Sequence, residues 1–189
     1  MAQARKGQTN RWRMAGWGLA GLLLLLPLVA MQFGDEVNWT GSDFVFAATM
    51  FAVVGGAFEL VVRHSDSPAY RAGGAAALLG AFLLVWINGA VGIIASENND
   101  ANLWFAAVIL VAIAGAILAR FRPAGLSKAM VAAAAVQAGI AMIALATDAG
   151  AGEHPMWRAQ LTGVTAMFLC IWLAAAWLFR AAVTSDERP

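Results

Sequence analysis

Apolar runs of about 20 residues, broken by short polar stretches, set the rhythm of this chain, and that is the length a helix needs to cross a bilayer. Six such runs fall at roughly 14–33, 43–63, 72–95, 103–119, 125–146 and 160–179. The stretches between them, "GDEVNWTGSD", "HSDSPAYR", "SENNDAN", "RFRPAGLSK" and "TDAGAGEHPMWRAQ", carry the Gly, Pro, Asn and Asp that favour turns. Spanning strands would need only about ten residues of alternating polarity, whereas these runs are continuous and rich in Leu and Ala. The pattern predicts an all-α integral membrane protein. Its one domain is a six-helix transmembrane bundle over residues 14–179, with tails at 1–13 and 180–189.

An internal comparison adds an architecture to the count. "FAATMFAVVGGAFELVVR" (46–63) lies over "FAAVILVAIAGAILARFR" (105–122) without a gap, and "RAGGAAALLGA" (71–81) lies over "KAMVAAAAVQA" (128–138). Helices 2–3 and 4–5 therefore read as a tandem hairpin repeat in one orientation. Glu59 falls opposite Leu118 and Asn88 opposite Leu145, so neither polar residue is demanded by a packing scheme used twice.

Charge orients the bundle. Of the 12 Lys and Arg residues, Arg158 alone falls on one side. Arg5, Lys6, Arg11, Arg13, Arg63, Arg71, Arg120, Arg122, Lys128, Arg180 and Arg188 fall on the other, which places both termini in the cytoplasm. The rival reading makes residues 1–30 a cleaved signal peptide, but Leu28 sits where a small residue belongs and the apolar run is close to spanning length. With 61% hydrophobic and 12% charged residues and no basic stripe, the chain meets a lipid bilayer and not nucleic acid. The lone cysteine, Cys170, permits no intrachain disulfide or CxxC pair and reads as a small buried packing residue.

Candidate chemistry is confined to an intramembrane polar set, Glu59, Arg63 and Asn88. Ala48, Ala52, Gly55, Gly56, Glu59 and Arg63 share one helical face, and such small-residue stripes predict a face turned into the bundle. Glu59 and Arg63, spaced i to i+4 near the cytoplasmic end, read as an ion pair joined by Arg71 across the turn, or else as a proton or cation site. Asn88 shares its face with Ala81, Gly92 and Ala95 and falls level with Thr49, whose hydroxyl is its expected partner. In this topology Glu59 and Asn88 are separated by roughly 18 Å along the membrane normal. The acidic hairpin tips read as solvated loops over an aromatic belt, or with His154 as a cation site, although no EF-hand or HExxH spacing occurs. His64 and His154 fall on opposite sides, which excludes bis-histidine haem ligation, and no cofactor or metal is implied.

The stretch "YRAGGAAALLGAFLLVWINGAVGIIASENNDANL" resembles a group of small polytopic bacterial integral membrane proteins that carry no assigned activity. The likeness covers about residues 35–145. It implies counterparts of Glu59–Arg63, Tyr70-Arg71, Val85–Asn88, Ala90–Ile94 and the Glu97–Asn102 loop, in a bacterial inner membrane. Without GxSxG, a Walker loop, paired histidine ligands or a close carboxylate dyad, an enzyme is not expected. Two function classes lead, with an enzyme third. One is a non-catalytic accessory or assembly partner, in contact with other membrane-protein subunits or its own copies. The alternative is a small-solute, proton or cation transporter or channel using Glu59 and Asn88.

Cysteine-accessibility labelling in intact and opened cells tests the charge argument. Residues 1–13, 64–71, 120–128 and 180–189 should react only after the cytoplasmic face is exposed, and labelling of the N-terminus from outside would reverse the orientation.

Overall fold

The computed structural model describes residues 2–34 and 37–186, with side chains for 14–34 and 37–183. Arg5, Lys6, Arg11 and Arg13, the acidic pair Asp35 and Glu36, and Arg188 therefore lie outside the described side chains. Six α-helices run in order: α1 Ala2–Ala30, α2 Gly41–His64, α3 Pro68–Ala90, α4 Ala106–Leu118, α5 Pro123–Ala146 and α6 Trp157–Asp186. A 3₁₀ helix, Asp100–Phe105, leads into α4, and there is no strand among the described residues. Among the described residues five segments are long and apolar enough to cross a membrane: Gly41–His64, Pro68–Ala90, Asp100–Leu118, Pro123–Ala146 and Trp157–Val183. The apolar part of α1 is shorter, Met14–Ala30, about 26 Å at 1.5 Å per residue and so at the lower edge of spanning length.

Local sequence fixes the helix starts. Thr40 caps α2: Asp43, in the first turn, accepts from the Thr40 backbone N–H at 2.7 Å and from its hydroxyl at 2.8 Å. The carboxylate that answers the Thr40 N–H is the return half of a capping box, and Trp39 packs edge-on against Phe44 as a hydrophobic staple, 5.1 Å between centroids. The Ser67 hydroxyl accepts from the Tyr70 backbone N–H at the start of α3, and Pro68 and Pro123 occupy the first turns of α3 and α5, where a missing N–H costs nothing.

The chain forms two compact units, residues 1–59 and 60–189. In the second, α6 packs against both α3 and α5, and α4 packs against α5. One stripe of α6 supplies Leu161, Phe168, Trp172, Ala175 and Phe179 to the core, all essentially inaccessible. It meets Leu84 of α3 and the alanine-rich face of α5, among them Ala133, Ala134 and Ala144. Lipid tails are as apolar as these side chains, so association rests on close van der Waals contact, and small residues make that contact closer. A Cβ on Gly115 would stand 2.5 Å from the Ala129 Cβ, and one on Gly74 would stand 2.5 Å from a Val61 methyl.

The third helix departs from expectation. The run 72–95 reads as one helix, yet α3 ends at Ala90, where Val91 and Gly92 both donate to the Ile87 carbonyl. Gly92 then takes φ +71°, the left-handed region that glycine enters without steric cost, and Ala95 also has positive φ at 63°. The segment Gly92–Ala95 is irregular chain, and it is buried. Gly92 and Ala95 therefore do not continue the helical face of Asn88. Cys170, expected in the core, is exposed on the outer surface of α6. Ala48 and Ala52 are exposed as well, so the small-residue face of α2 is covered only around Gly55, where Trp17 packs.

Gly80 tests the packing of α3 on α6, because a Cβ there would lie 2.9 Å from Ile171 Cγ2 and 3.3 Å from the Trp172 ring. Gly80→Val should lower stability by about 1–3 kcal/mol through overpacking, read as a lower thermal midpoint in detergent. An unchanged midpoint would contradict this packing.

Candidate functional site

Glu59 finds its partner on α1. The indole Nε1–H of Trp17 donates to a carboxylate oxygen of Glu59 at 3.0 Å. The same ring lies over Gly55, where an added Cβ would come within 2.9 Å of it. One aromatic residue thus supplies both the apolar cover and the hydrogen bond that a carboxylate in an apolar helix requires. Arg63 stands one turn further along α2, as its spacing predicts. Arg71 does not join it across the turn. Its guanidinium donates to the carbonyls of Ser65, at 2.8 Å, and Val62, at 3.0 Å, and pairs with the Asp66 carboxylate at 2.7 Å. It thereby holds the α2–α3 turn.

Asn88 is also committed, though not to Thr49. The Thr49 hydroxyl donates back along its own helix to the Val45 carbonyl at 2.7 Å. The Asn88 amide donates instead to the backbone carbonyl of Asn102 at 2.8 Å. Asn102, 5% exposed, is the hub of the irregular segment. Its side-chain oxygen accepts from the backbone N–H of Ile93 at 2.9 Å and of Ile94 at 2.8 Å, and its amide donates to the Ser96 carbonyl at 2.5 Å. Ile93 and Ile94 are fully buried, so these N–H groups have no access to water.

A second asparagine extends the knot to the loop between α5 and α6. The Asn99 amide donates to the Ala149 carbonyl and to Glu153 Oε1, both at 2.7 Å, while the Ser96 hydroxyl donates to Glu153 Oε2 at 2.6 Å. Asn99 also caps the 3₁₀ helix by accepting from the Ala101 N–H at 3.0 Å. Asp148 pairs with Arg158, whose guanidinium stacks 5.2 Å from the Trp157 ring centre. Glu153 thus joins the two loops and Asp148 is held by Arg158, and among the described residues no three His, Cys, Asp or Glu side chains gather as a metal site. Asp35 and Glu36, part of the expected acidic tips, lie outside the described residues.

At the opposite end Tyr70 joins three segments. Its hydroxyl donates to the Phe121 carbonyl at 2.9 Å, its ring meets Phe179 edge-on at 5.4 Å, and His64 lies 5.6 Å away. Arg120 and Phe121, at φ 49° and 58°, turn the chain through left-handed geometry to present that carbonyl. Beside it is a cleft of about 130 Å³ lined by His64, Ser65, Ser67, Tyr70, Pro123 and Ala182. That is well below the roughly 300 Å³ at which small-molecule sites begin.

The polar residues that sequence reasoning passes over lie deeper. Gln137 is fully buried in the middle of α5, and neither its amide nitrogen nor its oxygen has a hydrogen-bond partner. Thr165 Oγ1, Trp172 Nε1 and Asn88 Oδ1 are likewise buried and unpartnered. The signal for Gln137 was present, an amide inside "AAAAVQAGIAMIALA", but the surrounding alanines disguise it as helix filler. Trp17 was legible only as an interfacial aromatic, since its partner lies 42 residues away.

These elements define a helical bundle with membrane-spanning capacity whose polar groups mostly tie its own segments together. No model of a known protein family matches the chain, and no curated protein or solved structure matches it either.

Asn102 gives the sharpest test. Asn102→Leu strands two buried N–H donors at about 1–3 kcal/mol each and should expose residues 92–96 to hydrogen exchange. Asn102→Asp keeps the accepting oxygen but sets a second oxygen against the Ser96 carbonyl in place of the donating amide, and should restore only part of that protection. Equal protection in wild type and Asn102→Leu would remove Asn102 as the hub.

Proposed function

We infer that the chain is a non-catalytic integral membrane protein of a bacterial inner membrane, with both termini cytoplasmic, serving as an accessory or assembly partner of a larger membrane complex. One observation carries this reading: the two polar residues best placed for transport are held by the scaffold, Glu59 by the Trp17 indole and Asn88 by the Asn102 carbonyl. Intramembrane polar groups often mark a solute path, and here they tie elements of the chain to one another. The distribution of Lys and Arg supports the orientation. The exposed Ala48 and Ala52, on a helix whose spanning window is only 6% buried, present small residues where a neighbouring subunit or a second copy packs closely.

Purification in mild detergent followed by native mass spectrometry tests the reading. Stoichiometric partner subunits are expected, and Ala48→Leu with Ala52→Leu should reduce their recovery at least tenfold while the chain stays folded. A lone species whose proton or cation flux in liposomes disappears in Glu59→Gln would replace the assembly reading with transport.

A further inference from the structure

The unpartnered atoms of the second unit are not scattered. Gln137 lies about nine residues before the end of α5 at Ala146, and Thr165 about eight after the start of α6 at Trp157, so the two stand within about one turn of the same level. The α3–α6 register brings Asn88 to that level too. Gly73 packs on Phe179 and Gly80 on Trp172, so advancing about eight residues along α3 to Asn88 corresponds to retreating about eight along α6, to the neighbourhood of Thr165. An amide with both ends free, a hydroxyl and a carbonyl oxygen thus fall within about two turns of one level of the bundle, with Gln137 0% and Thr165 7% exposed. Leaving such groups dry costs several kcal/mol, and native structures rarely do so.

We propose that Gln137, Thr165 and the free side of Asn88 form an internal site for a small neutral hydrogen-bonding ligand, filled by water. The chemistry of the layer is neutral. "LVWINGAVG" of α3 and its continuation, "AAVQAGIAM" of α5, "LTGVTAMFL" of α6 and "WFAAVILVA" at the start of α4 contain no acidic or basic side chain. An ion there would have no counter-charge to offset its desolvation. Water suits the inventory, because Gln137 and Thr165 each donate and accept while Asn88 Oδ1 accepts, and a buried water needs two to four such partners. The Trp172 indole N–H faces the same core about 10 Å further along α6, continuing the line of donors beyond the layer.

The test uses the full chain, labelled uniformly with ¹³C and ¹⁵N and reconstituted in phosphatidylcholine vesicles for solid-state NMR. Magnetisation is transferred from water to each amide, and Gln137→Met identifies the Gln137 signal. If that variant does not fold, backbone correlations through Ala138 identify it in the unmodified protein. The Gln137 amide should receive water magnetisation within a factor of about two of the rate at exposed Gln32. Thr165→Val should slow the transfer at least threefold. Transfer to Gln137 as slow as to the amides of buried Ala133 and Ala144 would overturn the site, as would a Gln137 shift that titrates with sodium, which would make it an ion site.

Discussion

One side-chain carbonyl, that of Asn102, permits the rest of this bundle to close. Irregular backbone inside an apolar bundle is tolerated only where its N–H and C=O groups are satisfied by protein. Between Ala90 and the 3₁₀ helix the chain leaves α3 and buries Ile93 and Ile94 in the core without helical hydrogen bonds. Asn102 accepts from both of their N–H groups and is itself positioned by Asn88 through its carbonyl. With that connection made, Ser96 and Asn99 reach Glu153, and the α3–α4 connection is locked to the α5–α6 loop.

The hydrophobic pattern revealed the helices because a spanning helix is marked by length and continuity, both local properties. It missed the end of α3 for the same reason. "AVGIIAS" is as apolar as the helix before it, and hydropathy cannot separate a buried helical residue from a buried irregular one. Gly92 was the available cue, since glycine often marks the point where a helix hands over to left-handed geometry. Glu59 and Asn88 were legible as exceptions, yet their partners, Trp17 and the Asn102 carbonyl, depend on which segments meet in space. Cys170 failed for a related reason, because an apolar neighbourhood in sequence describes both faces of a membrane helix, the buried one and the outer one.

Gln137 illustrates what the repeat comparison holds. Its counterpart in the first hairpin is Gly80, the site of close approach between α3 and α6. The alignment that isolated Glu59 and Asn88 as departures in the first hairpin also contains a departure in the second. A glycine admits a neighbouring helix, whereas an amide has to be answered by hydrogen bonds, so two positions paired only by the sequence alignment carry opposite packing demands.

The position of α6 between α3 and α5 has a consequence for biogenesis. Because α6 follows both in the chain, α3 and α5 emerge from the ribosome and enter the bilayer before the helix that carries their main contacts. Until then the α4–α5 hairpin presents Gln137 without the α6 stripe that encloses it. The nascent protein passes through an open-groove stage whose closure waits for α6.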